Sequence, residues 1–229
     1  MPMSRWVRIP TEWIRSMRLH ELRWEAGKGS ANTAALMVLL VIAHRTDAIT
    51  GEAEVTYDTL QRSTSLSRPV ISRGLRVLEK LSLVNKLPED KRSVYRLANY
   101  VPQGTEWNGW AMLPAKRLYN ARGSIVAFND FKLRSRVELD ALKLLMLFVA
   151  FRDRYTNLAN ISYDKITEYT GIERGRIKSG LGLLATHSLV VTEQLPSASS
   201  EHGVSNAYRV LGIDPLNHLG TTGRASFQR

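Results

Sequence analysis

Apolar and polar positions run along this chain in a pattern that comes round twice. From Ala34 to Ala43, and again from Leu139 to Phe151, the residues are apolar almost all round. Such runs, well short of the roughly 20 residues a membrane span requires, predict buried central helices. Asn32 or Thr33 is the expected cap of the first helix, and Ser135 with Glu138 forms a capping box for the second. Each long helix is followed by a short polar one, Thr56–Arg62 or Ser162–Glu168. Thr56 and Ser162 stand as N-caps there, and Asp58 and Asp164 sit in the positively polarised first turn. A tight turn follows each, Ser63–Ser67 or Tyr169–Glu173, and Gly171 supplies the positive φ that such a turn favours. A third helix is expected over Arg68–Leu81 and Arg174–His187. Its inward stripe is Ile71, Leu75 and Leu78, or Ile177, Leu181 and Leu184, at i, i+4, i+7. Two short strands close each round: Leu83–Leu87 with Ser93–Leu97, and Leu189–Leu195 with Ala207–Leu211.

The two rounds are alike in sequence as well as pattern. Val55–Val84 and Ile161–Val190 align without a gap, with identities at Tyr57/Tyr163, Asp58/Asp164, Thr64/Thr170, Arg68/Arg174, Ile71/Ile177, Gly74/Gly180, Leu75/Leu181 and Leu78/Leu184, and with Ser-Leu-Val shared at the end. Outside this core, Trp6-Val-Arg-Ile-Pro10 resembles Trp110-Ala-Met-Leu-Pro114, and Tyr95-Arg96 matches Tyr208-Arg209. The chain therefore reads as two copies of one unit. Gly74 and Gly180 each cost a helix about 1 kcal/mol, and their recurrence at one place predicts close packing against a neighbouring helix. The expected fold class is mainly α with small β wings (α+β). The units span residues 1–97, with a Trp/Arg-rich extension in front, and 110–213; residues 98–109 link them and 214–229 form a frayed tail.

Composition narrows the chemistry. The 229 residues include 32 Lys plus Arg against 21 Asp plus Glu, a formal charge of +11, and no cysteine. The surplus favours a polyanionic partner, nucleic acid or an anionic surface. Absence of cysteine excludes a disulfide scaffold, thiolate zinc sites, iron–sulfur clusters and thiol catalysis, and it fits a reducing compartment. No apolar run predicts a membrane partner or a secretory signal, so a cytoplasmic location is expected. The five histidines show no metal spacing. Gly27-Lys28-Gly29-Ser30 lacks the upstream glycine of a phosphate loop and reads as a flexible turn. Gly180-x-Gly182 lies inside a helix and is not a dinucleotide fingerprint. Neither paired carboxylates nor a catalytic triad stand out, so no enzyme activity and no cofactor are expected.

Helix, short helix, tight turn, helix and hairpin, with T-Y-D-x-L-x-x-x-T-x-L-S-R-x-x-I-S-R-G-L in the first copy, resembles the winged-helix form of the helix-turn-helix. The resemblance covers about Asn32–Leu97 and Ser135–Leu211. Two such units in one chain resemble plasmid-type replication initiators, and winged helices also serve many transcription regulators. The resemblance implies double-stranded DNA as partner, read in the major groove by the third helix, with the wing on phosphate or minor groove.

On that reading, Arg73, Arg76 and Lys80 point away from the core stripe, with Ser72 on the flank and Ser67 and Arg68 at the helix's amino end, where phosphate also binds. Lys86, Lys91 and Arg92 belong to the first wing. In the second copy Ser179, Gly182 and Thr186 replace Arg73, Arg76 and Lys80, and charge gathers instead at Arg174, Arg176 and Lys178. Its wing carries no Lys or Arg between Glu193 and Asn206. Two roles stay open for it: phosphate contact including Ser179, or dimerisation and docking, with a homodimer as one form. Lys132, Arg134 and Arg136 either touch phosphate or solvate a loop. Trp6, Trp13 and Trp24, set among Arg5, Arg8, Arg15, Arg18 and Arg23, form either an accessory helix packed on the first unit, or a basic arm on DNA or part of a dimer interface. A different class of function, a protein-interaction adaptor, predicts only weak, sequence-independent and salt-sensitive DNA binding.

Overall fold

A computed structural model of the chain describes residues 4–25, 27–87, 93–103, 109–196 and 204–213. The first half runs β1 (Trp6–Pro10), α1 (Glu12–Arg15), a 3-10 turn (Arg18–Glu21), α2 (Gly29–Arg45), β2 (Glu52–Glu54), α3 (Tyr57–Thr64), α4 (Arg68–Lys80), β3 (Val84–Leu87) and β4 (Val94–Leu97). The second half runs β5 (Trp110–Pro114), 3-10 turns at Lys116–Leu118 and Val126–Asp130, α5 (Arg136–Phe151), β6 (Leu158–Asn160), α6 (Tyr163–Thr170), α7 (Arg174–Thr186), β7 (Val190–Pro196) and β8 (Val204–Val210). The fold is α+β, with the helices gathered around two long central ones and small antiparallel sheets at the sides. Among the described residues, no helix is long and apolar enough to cross a membrane.

The continuous apolar runs become helices buried on every side. Side chains from Ala31 to His44 in α2, and from Glu138 to Ala150 in α5, are all shielded from solvent. The two helices pack on each other at the centre, and one hydrophobic cluster joins both halves. The matching glycines account for how closely their neighbours approach. A Cβ on Gly74 would lie 3.0 Å from the backbone of Ala34 and Ala35 in α2, and one on Gly180 would lie 2.7 Å from Leu144 Cδ1 in α5.

Two helix starts differ from the sequence expectation. Helix α2 begins at Gly29, a turn before Asn32 and Thr33, so Gly29-Ser30 is helical rather than a flexible turn. The Trp24 ring lies where a Cβ of Gly29 would fall, which fixes that first turn against the preceding segment. Asn32 donates instead to the Arg23 carbonyl at 2.7 Å and Thr33 to the Gly29 carbonyl at 3.0 Å, so neither serves as a cap. Ser135 does cap α5, accepting from Val137 N–H, yet the capping box stays open. Glu138 accepts from Lys132 N–H at 2.6 Å, because the chain ahead of α5 curls back over the helix end. The caps Thr56 and Ser162 form as expected, accepting from Thr59 and Lys165 N–H.

Each expected hairpin gains a third strand from just ahead of the short helix, giving the orders β2-β4-β3 and β6-β8-β7. Strands of three residues are too short to show an alternating pattern. A further sheet joins the halves: β1 and β5 pair antiparallel, from Trp6 opposite Pro114 to Pro10 opposite Trp110, so the two like-sequence strands meet about a local two-fold. Trp6 stacks on Trp110 at 6.1 Å between centroids, and Arg8 lies over the same ring.

Beyond β1 and β5 each half sends its leading segment across to the other. His20 Nε2 bonds the Glu168 carbonyl in α6 with its ring against Gly171, while Arg18 ties the same segment back to its own half at the Leu81 carbonyl after α4. In the opposite direction, Ser63 at the end of α3 donates to Gly123 O at 3.0 Å, and Ile125 N–H donates to Ser63 O. The Trp-rich extension is thus packed structure. Trp13 is buried and donates to Pro10 O, Arg15 reaches the Ala150 carbonyl over the Phe151 ring, and Arg136 reaches Trp24 O. The wing turn at 88–92 with Lys91 and Arg92, most of the 196–206 loop, and the 214–229 tail lie outside the described residues.

Candidate nucleic-acid interface

Helix α4 starts cleanly because Ser67 is extended, at φ −72° and ψ 153°, and Pro69 occupies the first turn, where its missing N–H costs nothing. The preceding Ser65 takes the left-handed conformation at φ 59°, in the position where Gly171 of the second half sits at 68°. Ile71, Gly74, Leu75 and Leu78 face inward onto α2. Pro69, Arg73, Arg76 and Lys80 are exposed on the opposite side, with Ser72 half-buried between the two faces. None of Arg73, Arg76 and Lys80 has an ion pair or side-chain hydrogen bond with another described residue. Their row covers about 10 Å of helix at 1.5 Å per residue, within the roughly 12 Å width of a B-DNA major groove.

At the amino end, Ser67 is exposed and Arg68 pairs with Asp58 at 2.6 Å, both side chains largely in solvent. The second half repeats this pair as Arg174 with Asp164, and there the guanidinium also lies over Tyr163. Exposed pairs of this kind contribute little stability, about 0–1 kcal/mol, so a phosphate can compete for the arginine. On β3, Lys86 is exposed and lies opposite Tyr95 in the ladder. The described part of the first half's surface thus joins Ser67, Arg68, Arg73, Arg76 and Lys80 on one helix to Lys86 on the adjoining strand.

The corresponding surface of the second half has other chemistry. Lys178 and Ser179 are exposed, while Ser179, Gly182 and Thr186 occupy the places of Arg73, Arg76 and Lys80. Arg176 turns inward. It pairs with the buried Asp140 at 3.3 Å and with Glu173 at 2.8 Å, and so is already neutralised. Burial raises the Asp140 carboxyl above the usual range despite Arg176 and Lys143 beside it. Burial also brings the Lys143 ammonium down to about 8, and its Nζ donates to Leu22 O at 3.0 Å. Strand β7 carries no Lys or Arg, and its Glu193 is held by Arg209.

The sequence reading missed one group of residues beside α4. The segment leading into α5 makes a tight turn at Asn120–Ser124, closed by Gly123 N–H to Asn120 O and by Arg122 and Ser124 N–H to Asn120 Oδ1, with Gly123 at φ 79°. Ser63 anchors this turn, and Ser65 donates to Asn129 Oδ1 at 3.0 Å. The turn comes to rest on Arg62 of α3, whose Cδ would lie 3.7 Å from a Cβ on Gly123. Arg122, Arg62 and Lys132 are exposed around it, and Arg134 is exposed two residues on. This contact joins segments far apart in the sequence, so neither periodicity nor alignment signals it. Of the three residues first noted ahead of α5, Lys132 lies at this edge, whereas Arg136 is engaged with Trp24.

No known protein-family profile matches the sequence. No curated protein matches it as a relative either. Among the described residues, no group of three or more His, Asp or Glu side chains is placed to hold a metal ion.

Proposed function

We propose that the chain is a sequence-specific double-stranded DNA-binding protein built from two winged-helix units, acting in replication or transcriptional control of a plasmid or other mobile element. The observation that carries this reading is the row of exposed Arg73, Arg76 and Lys80, without an ion pair to any described residue, on the outer face of α4, a helix whose inner face is fixed on α2. Arginine offers a planar fork that matches guanine O6 and N7, and each such contact contributes about 1–3 kcal/mol of discrimination. Ser67 and Arg68 at the helix start and Lys86 on β3 supply phosphate contacts that set the register. Lys91 and Arg92 extend this face in the sequence.

Selection from random duplexes supplies the target for a test. Competition binding at fixed salt then compares the target with unrelated duplex for wild type and for the Arg73→Ala/Arg76→Ala variant. The expected outcome is a loss of discrimination of roughly tenfold or more per contact, in a variant that remains folded. Unchanged discrimination in the folded variant would remove α4 as the reading helix.

The second half supports a different role. Its small outer residues Ser179, Gly182 and Thr186, the inward-turned Arg176 and a β7 without Lys or Arg favour docking or dimerisation, with Arg174 and Lys178 left for phosphate. If the whole protein were an adaptor, duplex binding would be sequence-independent and lost at moderate salt.

A further inference from the structure

We propose that the second half of the chain completes the first half's DNA face, with Arg122 and Lys132 joining Arg62 to clamp the backbone phosphates that flank the groove read by α4. This rests on the reading of α4 as the DNA-reading helix. It adds a site on a segment that belongs, in sequence, to the other half.

Three observations carry it. The cations are gathered at the correct end of the reading unit. The turn between α3 and α4 delivers the amino end of α4, and Arg62 closes α3 just before it. Arg122 is at the tip of the turn resting on Arg62, and Lys132 Nζ lies 3.1 Å from the Asn129 carbonyl, in the residue that Ser65 holds.

The presentation is also rigid. Asn120 accepts two backbone N–H groups, and Ser63 both donates to Gly123 O and accepts from Ile125 N–H, so the backbone under Arg122 is fixed before any ligand arrives. Less ordering entropy then remains to be lost on binding.

Finally, the charge is not neutralised by any ion pair among the described residues. Arg62 and Arg122 have no ion pair with a described residue, and Lys132 makes only its carbonyl contact. The nearby carboxylate of Asp130 faces His187, towards α7. Duplex DNA carries one charge per about 1.7 Å of axis, so cations placed beside the amino end of a groove-bound helix meet phosphates on the groove's rim. Backbone phosphate carries no sequence information, so this clamp adds affinity and orientation without discrimination.

The experiment compares wild type, Arg62→Ala/Arg122→Ala/Lys132→Ala and the conservative Arg62→Lys/Arg122→Lys/Lys132→Arg in the full chain, each checked for folding by circular dichroism. Affinity for the selected target and for unrelated duplex is measured across a salt series. The alanine variant should bind both duplexes more weakly by a common factor. Its slope of log affinity against log salt should fall by about 2–3, at about 0.9 per phosphate released, with target discrimination kept and the slope restored in the conservative variant. An unchanged slope in a folded alanine variant would overturn the clamp while leaving α4 as reader. Loss of discrimination with an unchanged slope would also overturn it, by making these residues base contacts. Failure of the α4 reading is distinguishable, because it appears as unchanged discrimination in Arg73→Ala/Arg76→Ala, whatever the slope of the Arg62, Arg122 and Lys132 variant.

Discussion

At the scale of single residues, His44 shows how a polar side chain is tolerated in the middle of the core. Its Nε2 is 2.9 Å from the Pro114 carbonyl, which can only accept, so Nε2 carries the proton and Nδ1 accepts from the Tyr119 hydroxyl at 2.9 Å. In the neutral form both ring nitrogens are satisfied. Burial pushes the imidazole down to about 3 from its ordinary 6.5, outweighing the opposing bond to Pro114, and Arg45 adds to the depression. Because the folded value lies below the unfolded one, the unfolded chain takes up more protons between pH 6.5 and 3. Stability due to this residue is therefore complete above pH 6.5 and falls as pH drops through that window, by up to about 1.4 kcal/mol per pH unit. A glutamine at this position can offer a donor to Pro114 and an acceptor to Tyr119 without titrating. Urea unfolding of His44→Gln from pH 7 to 4 should accordingly show a shallower loss of stability than wild type, by close to one proton. Parallel pH profiles would refute the buried neutral imidazole.

At the scale of elements, α4 and α7 have equal lengths and like inner stripes, yet their glycines answer to opposite constraints. Gly74 faces the α2 backbone, where a Cβ would lie 3.0 Å from Ala34 C and Ala35 N, atoms that move only if the helices separate. Gly182 faces open space, with nothing within 4 Å of its would-be Cβ. Alanine in a helix gains about 1 kcal/mol over glycine, whereas overpacking costs about 1–3 kcal/mol. Gly182→Ala should raise the urea midpoint, and Gly74→Ala should lower it despite the same gain in helix propensity. A raised midpoint for Gly74→Ala would show that α2 and α4 are not packed backbone to backbone. This contrast also marks what the sequence could reveal. Repetition exposed Gly74 and Gly180 as contacts, and the period of Ile71, Leu75 and Leu78 identified the outer row Arg73, Arg76 and Lys80, because both signals are local. The pairing of β1 with β5, the inward turn of Arg176 onto Asp140 and the seating of Asn120–Ser124 beside α3 are contacts between distant segments. Each depends on which surfaces meet after folding, and no spacing along the chain encodes that.

At the scale of the whole molecule, the exchange of leading segments makes the two halves one mechanical body. If only residues 98–109 joined them, each would have its own core and its own unfolding transition. Instead α2 packs on α5, β1 completes a sheet with β5, and each half's leading segment is pinned on the other's helices, through Arg15 and His20 in one direction and Gly123 and Ile125 in the other. Buried Lys143 adds a cross-tie to Leu22 O, so separating the halves would strand polar groups that are satisfied only by the partner half. Unfolding is therefore expected as one cooperative event, with a calorimetric enthalpy equal to the van't Hoff value. Hydrogen exchange gives a more local check: the slowest amides of α2 and of α5 should report the same opening free energy, matching the global one. Two calorimetric transitions, or α2 amides opening at a lower free energy than those of α5, would mean that the halves are separable. A single transition instead means that α4 and α7 belong to one body, so whatever surface the second half engages sets the angle at which the outer face of α4 is presented.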